Sequence, residues 1–550
     1  MFSVSEIFMR DFQEGLMISR QLRASGMPSA APVTPAGTTR RRIATAALAV
    51  LALAVAGPTA RAAESGTPMD TRIQALQPEL DSYVTAGMKA FDTPGLAIGI
   101  VSGDRLVYAR GFGVRSKSKG GAVGTRTVFQ IGSTTKAFLA ATLAIAVDRG
   151  KLRWDDRIVD LDPEFQLKDP WVTREFRVFD LLAQRSGLPP YANDSLGILG
   201  LDEAALIRSL RNVEPVSSFR STFAYTNITH LLAGRIVARG EGAADWNAVL
   251  RQDLLEPLGM AETSTTAEAI EAAPDHTQGH RWTPDGTVEV PFTPIFPYAF
   301  GGAGDMNSTI EDMAHWLRLQ LRDGSFDDRR IVSVDNMAAT RTARVGITDK
   351  AYYAMGWVGV LTPNGRVIWH NGGTPSFGAY VGFVPEKDVG VVVLTNEENV
   401  GFPDAVGAWV LDRLLDNPRV DHVATALDAA KARFAEAAKA FVRPANPQPA
   451  LPLAPLAGPY AEPSLGKATL RPDGDGAVLE LQEGGAALQL EPWDGSVFTI
   501  RQLPVGRFAA IVANSGPSPS GFAQFQIDTN GTTPLLRLTI ENQSYMFRRE

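Results

Sequence analysis

A serine and, one helical turn later, a lysine occur in the stretch Phe129-Gln130-Ile131-Gly132-Ser133-Thr134-Thr135-Lys136-Ala137-Phe138-Leu139. Residues 134–147 are rich in Ala and Leu and predict a helix, with Gly150 placed to end it. Side chains three residues apart share one face of a helix, so Ser133 and Lys136 are expected to point the same way. Because this helix is apolar on nearly all sides, we expect it to be buried, and a buried lysine needs a reason.

Ser133 and Lys136 are candidates for a nucleophile and its base. A serine hydroxyl is a weak nucleophile, whereas a lysine in apolar surroundings can lose its proton near neutral pH and then accept the serine proton. The backbone N–H of Ser133, at the start of a helix, can also donate to a developing oxyanion. A Ser-x-x-Lys pattern occurs by chance in many chains of this length, so alone it does not establish catalysis.

Composition indicates a globular protein of more than one domain. The chain has 550 residues, of which 45% are hydrophobic and 21% charged. The formal net charge of -7 is mild, and basic runs are confined to the N-terminal region, which argues against nucleic acid as a partner. The absence of cysteine excludes disulfides, a catalytic thiolate and cysteine-ligated zinc. His276 and His280 lie among Pro and Gly residues, so we expect no metal site there.

Residues 1–62 are predicted to be a targeting segment. Arg40-Arg41-Arg42 precede an apolar run over residues 43–57, and Ala60-Arg61-Ala62 has the small residues of a cleavage site. The run is too short for a comfortable membrane span, and the arginines also resemble a twin-arginine export signal. General secretion, twin-arginine export and an uncleaved anchor all remain open, as does the true start codon. We expect a periplasmic or secreted protein with no stable membrane span after processing.

Residues 63–420 are predicted to form an α/β (α+β) catalytic domain. Apolar residues recur at helical spacing over residues 70–91, and two β-rich runs, residues 95–101 and 106–113, predict a hairpin. Three more β-rich runs occur near the end of the domain, at residues 367–369, 378–384 and 389–395. Strands from both ends of the domain, flanked by helices, predict an antiparallel sheet.

A second domain is predicted after a linker. An Ala-rich helix and a proline cluster, residues 444–452, make up the connecting segment, residues 421–452. Residues 453–550 contain short β-rich runs at even spacing, which predicts a small antiparallel barrel or sandwich. One of these predicted strands covers residues 508–512.

Two further groups of polar residues are candidates for the same site. Tyr225-Thr226-Asn227 precedes an apolar helical run, and its Tyr and Asn can face one cleft, although a structural core tyrosine is the alternative. Trp369-His370-Asn371-Gly372-Gly373 lies at a strand end, where glycine N–H groups can point at a substrate. His370 can hold a substrate carboxylate or relay a proton, but a lone histidine is more often structural.

The chain resembles the serine β-lactamase and D,D-peptidase superfamily, and more closely its class C β-lactamase-like branch, in the motifs Ser133-Thr134-Thr135-Lys136, Tyr225-Thr226-Asn227 and His370-Asn371-Gly372. Connecting segments similar to that branch are residues 181–188, 256–260 and 301–304. The resemblance covers residues 70–416 and implies a β-lactamase-like fold. The trailing β-domain is similar to the lipocalin-like module attached to some members of the branch, including peptidases.

The resemblance also implies roles for individual residues. Ser133 is implied to be the acylated nucleophile, with Lys136 and Tyr225 as the proton-transfer pair. The implied substrate-binding and oxyanion positions are Asn227, His370, Gly372 and Gly373. No cofactor or metal is implied. Class C β-lactamases have Lys-Thr-Gly where this chain has His370-Asn371-Gly372, and the histidine form is more typical of peptidases and esterases of the branch.

These observations predict an exported serine hydrolase that cleaves peptide or amide bonds, including those of linear or D-amino-acid-containing peptides, through an acyl-enzyme. A carboxylesterase and a weak β-lactamase or penicillin-binding protein are the alternatives. Substrate chirality, the oligomeric state, and which of Lys136 and Tyr225 is the general base are not decided by the sequence. We expect the C-terminal barrel to limit access to the site, and its removal, from residue 450 onward, to leave acylation by a small ester intact.

Overall fold

The computed structural model describes residues 67–527, 534–541 and 543–550. The predicted targeting segment, residues 1–62, lies outside the described residues. The strands of the larger domain are β1 (Gly95–Ser102), β2 (Arg105–Ser116), β3 (Gly120–Ala122), β4 (Phe129–Gln130), β5 (Gly279–Thr283), β6 (Gly286–Val290), β7 (Asn307–Ser308), β8 (Ser325–Phe326), β9 (Arg329–Arg330), β10 (Val345–Gly346), β11 (Ala351–Tyr353), β12 (Val358–Thr362), β13 (Gly365–Gly373), β14 (Gly378–Val384) and β15 (Val389–Thr395).

The helices of this domain alternate with loops between the strands and after them. They are α1 (Pro68–Phe91), α2 (Thr135–Asp148), α3 (Ile158–Leu161), α4 (Pro170–Glu175), α5 (Val178–Leu182), α6 (Ser195–Ile198), α7 (Glu203–Ser209), α8 (Ile228–Glu241), α9 (Trp246–Leu250), α10 (Glu256–Leu258), α11 (Ala267–Ala272), α12 (Ile310–Leu321), α13 (Val334–Arg341) and α14 (Phe402–Leu415). Within the described residues, no helix is both long enough and apolar enough to cross a membrane.

The larger domain is built on a nine-stranded antiparallel sheet with the order β10-β11-β12-β13-β14-β15-β1-β2-β3. Every residue of β1, β14 and β15 is buried, as expected for central strands covered on both faces. Side chains of β1 alternate between two hydrophobic cores, with Ile98 and Ile100 in one and Ala97 and Val101 in the other. This arrangement confirms the predicted antiparallel sheet flanked by helices.

The nucleophile motif lies at the start of α2. Gly132, Ser133 and Thr134 form a single 3₁₀ turn that leads directly into this helix, whose residues from Thr135 to Ala146 are all buried. An Ala- and Leu-rich sequence without a polar face suits such a position, because a helix packed on all sides has no surface to solvate. The helix therefore carries Lys136 into the protein interior while Ser133 stays at its end.

Helix α15 (His422–Lys439) links the two domains, and residues 444–452 follow it without helix or strand. The smaller domain is a closed antiparallel barrel of β16 (Gly458–Glu462), β17 (Gly466–Asp473), β18 (Gly476–Leu481), β19 (Ala487–Asp494), β20 (Val497–Gln502), β21 (Gly521–Ile527), β22 (Pro534–Ile540) and β23 (Gln543–Arg549). The predicted C-terminal β-domain is thereby confirmed as a barrel of eight strands.

The prediction of a strand over residues 508–512 is wrong, because helix α16 (Ala509–Ser515) begins within this segment. The segment lies between β20 and β21, outside the barrel, and buries Phe508 and Ile511, which are three residues apart. A short apolar run fits either a strand or one face of a helix, and here the helical spacing of the buried positions applies.

Candidate active site

The side-chain amine of Lys136 is the centre of the candidate site. Its Nζ lies 3.0 Å from the Ser133 hydroxyl, 2.6 Å from Oδ1 of Asn227 and 2.7 Å from the carbonyl oxygen of Ala303. Lys136 is completely buried, so the amine meets these three oxygens and not bulk water. The predicted hydrogen-bond reach between Ser133 and Lys136 is therefore present.

Burial lowers the pKa of the Lys136 amine to about 7, although the carboxylates of Asp194 and Asp305 act in the opposite direction. A neutral amine has two N–H donors and one lone pair. The two N–H groups match the oxygens of Asn227 and Ala303, so the lone pair faces the Ser133 hydroxyl. After protonation the third N–H can donate to the serine oxygen. Both protonation states are satisfied by the same geometry, so a proton can move with little rearrangement.

Tyr225 completes this group from the other side. Its ring lies beside the amine, with the Lys136 Nζ 4.7 Å from the ring centroid, and Ser133 lies close enough to its hydroxyl to lower the pKa of that group. Burial raises the pKa of Tyr225 well above its ordinary value, and the neighbouring Tyr353 adds to this effect. At neutral pH Tyr225 is therefore an uncharged phenol that can donate a proton, while Lys136 is the group able to accept one.

Asn227 is held in place by a carboxylate that sequence reasoning did not single out. Its Nδ2 donates to Oδ2 of Asp194 at 2.6 Å, which fixes the amide with Oδ1 toward Lys136. Asp194 lies in the loop just before α6, and both it and Asn227 are buried. Nothing in the local pattern of this loop indicates the contact, because Asp194 and Asn227 are 33 residues apart.

The glycine-rich turn at residues 301–304 supplies the third partner of Lys136, the Ala303 carbonyl. The turn is held by Asp305, whose Oδ1 accepts from the N–H of Gly302 at 3.0 Å and whose Oδ2 accepts from the indole N–H of Trp246 at 3.1 Å. The expected close backbone approach is present, since a Cβ on Gly302 would lie 2.9 Å from Leu139 of helix α2.

Glycines allow β13 to approach the nucleophile turn. Gly132 has a φ of +50°, and a Cβ there would lie 2.7 Å from the Gly373 nitrogen, while a Cβ on Gly372 would lie 1.9 Å from the Ile131 carbonyl oxygen. Neither position can hold a larger residue unless the backbone moves. Gly372, predicted as a substrate-binding or oxyanion position, lets the strand and the turn that carries Ser133 meet.

The N–H of Gly373 points away from strand β14. The Thr374 N–H donates to the Phe377 carbonyl at 3.0 Å, so the preceding pair, Gly373 with Gly378, is a non-hydrogen-bonded pair of the antiparallel ladder. On its other side β13 pairs with β12 only as far as Trp369. The Gly373 N–H therefore faces an open edge beside the Ser133 turn, where a predicted oxyanion donor belongs.

His370 lies one layer behind the other predicted site residues. Its Nδ1 is 2.6 Å from the Asn371 carbonyl oxygen, so this nitrogen carries the proton, and its Nε2, 3.0 Å from the Tyr353 hydroxyl, accepts from it. Burial, and secondarily the charge of Lys136, lower the pKa of His370 to about 3. In this arrangement His370 offers no cation to a substrate carboxylate, and it orients Tyr353 instead.

A cavity of about 870 Å³ opens beside Ser133, Asn227 and Gly373. Most of its wall is apolar, with the aromatic residues Trp282, Phe296, Phe300, Phe434 and Phe441. The barrel domain closes part of it through Gln489, Glu491, Arg501, Leu503, Ile511 and Val512. Lys136, Tyr225 and His370 lie behind the wall, so a ligand in the cavity meets the serine and the two predicted substrate contacts first.

A beta-lactamase family model matches residues 80–415, which include all of these side chains of the catalytic domain. The chain belongs to the beta-lactamase family. A second model, described as a domain of unknown function (DUF3471), matches residues 442–549 and so includes the barrel. The predicted family is confirmed, and the chain is a serine hydrolase of this family.

Curated relatives match the chain over different lengths. The chain is 24% identical over 503 residues to unguisins hydrolase ungD of Aspergillus violaceofuscus (strain CBS 115571), with 83% of this chain and 88% of the relative covered. It is 28% identical over 385 residues to penicillin-binding protein 4 of Amycolatopsis lactamdurans, with 67% of this chain and 93% of the relative covered.

Among solved structures, the octameric penicillin-binding protein homologue from Pyrococcus abyssi aligns with a TM-score of 0.55 and 22% identity, covering 86% of this chain and 99% of that chain. The two proteins share a fold. The structure brings Ser133, Lys136, Tyr225, Asn227 and Gly373 together, whereas the catalytic roles of these residues stay predictions. Asp194 and the Ala303 carbonyl are the parts of the site that sequence reasoning missed.

Proposed function

We propose that this beta-lactamase-family chain is an exported hydrolase that cleaves peptide or amide bonds through an acyl-enzyme on Ser133. The observation that carries the proposal is the position of the buried Lys136 amine, 3.0 Å from the Ser133 hydroxyl and held by two further acceptors. An amine with a pKa lowered to about 7 is half deprotonated near neutrality and can accept the serine proton.

In the proposed acylation step, Lys136 takes the Ser133 proton as the serine oxygen attacks the carbonyl carbon. The N–H groups of Ser133 and Gly373 stabilise the oxyanion that forms. The Tyr225 hydroxyl donates its proton to the departing amine and regains one from the protonated Lys136, so the net result is the transfer of one proton from the serine to the amine. Water then hydrolyses the ester on Ser133 by the same steps in reverse order.

Three observations favour amide substrates. The chain is similar to a hydrolase named for unguisins and to a penicillin-binding protein, and penicillin is a cyclic amide. A neutral Tyr225 lies beside Ser133 and can supply a proton. An amine leaving group needs this proton, whereas the leaving group of an activated ester does not. The open edge of β13 at Gly373 can also pair with the backbone of an extended peptide.

The cavity supports apolar substituents on the substrate. Its predominantly aromatic and aliphatic wall stabilises large apolar side chains, because each one buried contributes about 1.5–3 kcal/mol. The same wall suits the acyl chain of an ester, so a carboxylesterase is the second candidate function. Because His370 is neutral, we expect a free carboxylate of the substrate near His370 to contribute little to binding.

A substrate panel tests the proposal. We expect p-nitroanilides of short peptides with bulky apolar residues to be hydrolysed, in either the L- or the D-series, and Ser133→Ala to abolish turnover. Ser515→Ala removes a second serine of the cavity wall and is the matched control that keeps activity. Turnover confined to p-nitrophenyl esters would make the protein a carboxylesterase, and a chromogenic cephalosporin cleaved faster than any anilide would make it a β-lactamase. Turnover by Ser133→Ala would refute the acyl-enzyme on Ser133.

Export is supported by the arginine-led apolar segment that ends at Ala60-Arg61-Ala62. We expect the protein recovered from the periplasm or medium to begin near residue 63, as determined by mass spectrometry of its N-terminal peptide. Substituting Lys for both Arg40 and Arg41 distinguishes the two routes, because twin-arginine export depends on the arginine pair whereas general secretion requires only positive charge. Full-length protein found only inside the cell would contradict export.

A further inference from the structure

Strand β23 of the barrel contacts the loop that leads to Asp194. The side-chain oxygen of Gln543 accepts from the backbone N–H of Asn193 at 2.8 Å, and its Nε2 donates to the Tyr191 carbonyl at 3.0 Å. One glutamine amide from the C-terminal domain thus bridges two backbone positions of the catalytic domain. These positions lie immediately before the carboxylate that holds Asn227.

The loop adopts a backbone conformation that needs such support. Tyr191 has a φ of +56° and Asn193 a φ of +60°, both in the left-handed region, which asparagine tolerates but which is unfavourable for a bulky residue such as Tyr191. Residues in this region persist when surrounding contacts over-determine them. Gln543 makes a hydrogen bond to each of the two, and Tyr191 also donates its N–H to the Tyr225 carbonyl at 2.7 Å.

Tyr545, two residues along β23, reinforces the contact. Its buried hydroxyl lies 3.1 Å from Oδ1 of Asn193 and 3.0 Å from the side-chain oxygen of Gln543, and it can donate to one of them at a time. The Asn193 amide is held at its other end, where Nδ2 donates to the Ser209 hydroxyl at 2.8 Å. The side chain and the backbone of Asn193 are therefore both fixed, and the barrel supplies two of these three contacts.

The path from this contact to the reacting serine is short. Asp194 follows Asn193 in the chain, its carboxylate accepts from Asn227 at 2.6 Å, and Asn227 accepts from the Lys136 amine at 2.6 Å. We propose that Gln543 and Tyr545 of the barrel are positioning residues of the catalytic centre, which fix Asp194 and thereby hold Asn227 against Lys136. This inference rests on the proposed function, because it concerns the rate at which Ser133 is acylated.

The electrostatics of the site distinguish positioning from simple domain packing. The titratable groups that face Lys136 are Asp194, Asp305, Tyr225, His230 and His370. Of these, Asp194 and Asp305 raise the pKa of Lys136 against the effect of burial, and Asp194 is the one that the barrel contact holds. If Asp194 moves away, the pKa of Lys136 falls further. The acid limb of the pH profile, the range in which the acylation rate rises with pH, then moves to lower pH.

The test uses the full-length protein with Gln543→Ala and Tyr545→Phe. The acylation rate is measured as the burst of p-nitrophenol from a p-nitrophenyl ester between pH 5 and 9. We expect the plateau rate of Gln543→Ala to fall roughly tenfold, the effect of about 1.4 kcal/mol at the catalytic centre, and its acid limb to move to lower pH. Matched controls are Gln482→Ala, an exposed barrel glutamine, and Tyr460→Phe, whose buried hydroxyl donates to Leu456 within the barrel domain at 2.9 Å.

A double-mutant cycle with Asp194→Asn identifies the route. If Gln543 acts through Asp194, Gln543→Ala slows acylation much less in the Asp194→Asn background than in the wild type. Equal effects in the two backgrounds, or an unchanged rate and pH profile in Gln543→Ala, would overturn the proposal. If Gln543→Ala does not fold, Tyr545→Phe, which loses a single oxygen atom, decides by the same criteria. Wild-type protein that neither hydrolyses the ester nor forms a covalent adduct on Ser133, as measured by mass spectrometry, would refute the proposed function instead.

Discussion

Replacing Lys136 by alanine is expected to slow acylation of Ser133 by roughly 10²–10⁴-fold, the usual effect of losing a general base. Lys136 is the group beside Ser133 whose pKa, lowered to about 7, allows it to accept a proton at neutral pH. Alanine also leaves a space where the amine lay, so added methylamine should restore part of the rate. The measurement is the ester burst with and without the amine, on protein shown to be folded by circular dichroism.

The pH dependence of acylation gives a second readout of the same prediction. Below a pH of about 7 Lys136 is protonated and cannot accept the serine proton, so the rate should rise with pH and level off above that value. The control is His370→Gln, in which the Gln side chain can still accept from Tyr353. Because the pKa of His370 is lowered to about 3, this variant should keep the limb near pH 7. A limb that disappears in His370→Gln, or Lys136→Ala acylation within threefold of wild type, would exclude Lys136 as the base.

Replacing Tyr225 by phenylalanine should separate amide from ester substrates. A departing amine needs a proton, and Tyr225, kept neutral by burial and close to Ser133, is placed to supply it. A p-nitrophenolate ion leaves without a proton. We therefore expect Tyr225→Phe to reduce the acylation rate with a peptide amide by roughly 10²–10⁴-fold and the rate with a p-nitrophenyl ester by much less.

Tyr353→Phe is the matched control for this prediction. Tyr353 is equally buried, its ring centroid lies 6.4 Å from that of Tyr225, and its hydroxyl bonds His370 and not Ser133. Loss of this hydroxyl should change amide turnover little. Equal losses with both substrates in Tyr225→Phe would show that Tyr225 acts on the serine itself, and the assignment of Lys136 as the base would then fail.

Local pattern was sufficient to predict the nucleophile and much of the sheet. The relation of Ser133 to Lys136 depends on helical spacing alone, and the helix predicted over residues 134–147 is observed as Thr135–Asp148. The runs predicted over residues 378–384 and 389–395 agree with β14 and β15, because buried β-branched residues bounded by turn residues are distinctive. The family resemblance then supplied the order in which Ser133, Tyr225 and His370 join one site.

Contacts between distant segments could not be predicted in this way. Asn193 and Gln543 are 350 residues apart in the sequence. The local pattern around Asn193 predicts only a loop, and the pattern around Gln543 predicts only the end of a strand. The expectation that removal of the barrel leaves ester acylation intact treated the C-terminal domain as a cover. With Gln543 and Tyr545 in contact with the loop that carries Asp194, we instead expect removal to slow acylation of every substrate. Side-chain burial was equally hidden, since His370 was expected to meet a substrate and is bonded to Tyr353.

The pairing of β1 with β15 sets a condition on the synthesis of this protein. The strand at residues 95–102 hydrogen-bonds along its whole length to the strand at residues 389–395, and both are central in the sheet. A chain still emerging from the ribosome therefore holds Ser133 and Lys136 long before β13 and the Gly373 N–H exist beside them. Non-local strand pairing of this kind is slow to form, because the closure of long loops must precede it. The nascent hydrolase thus stays catalytically incomplete at least until Gly373, at the end of β13, has been made.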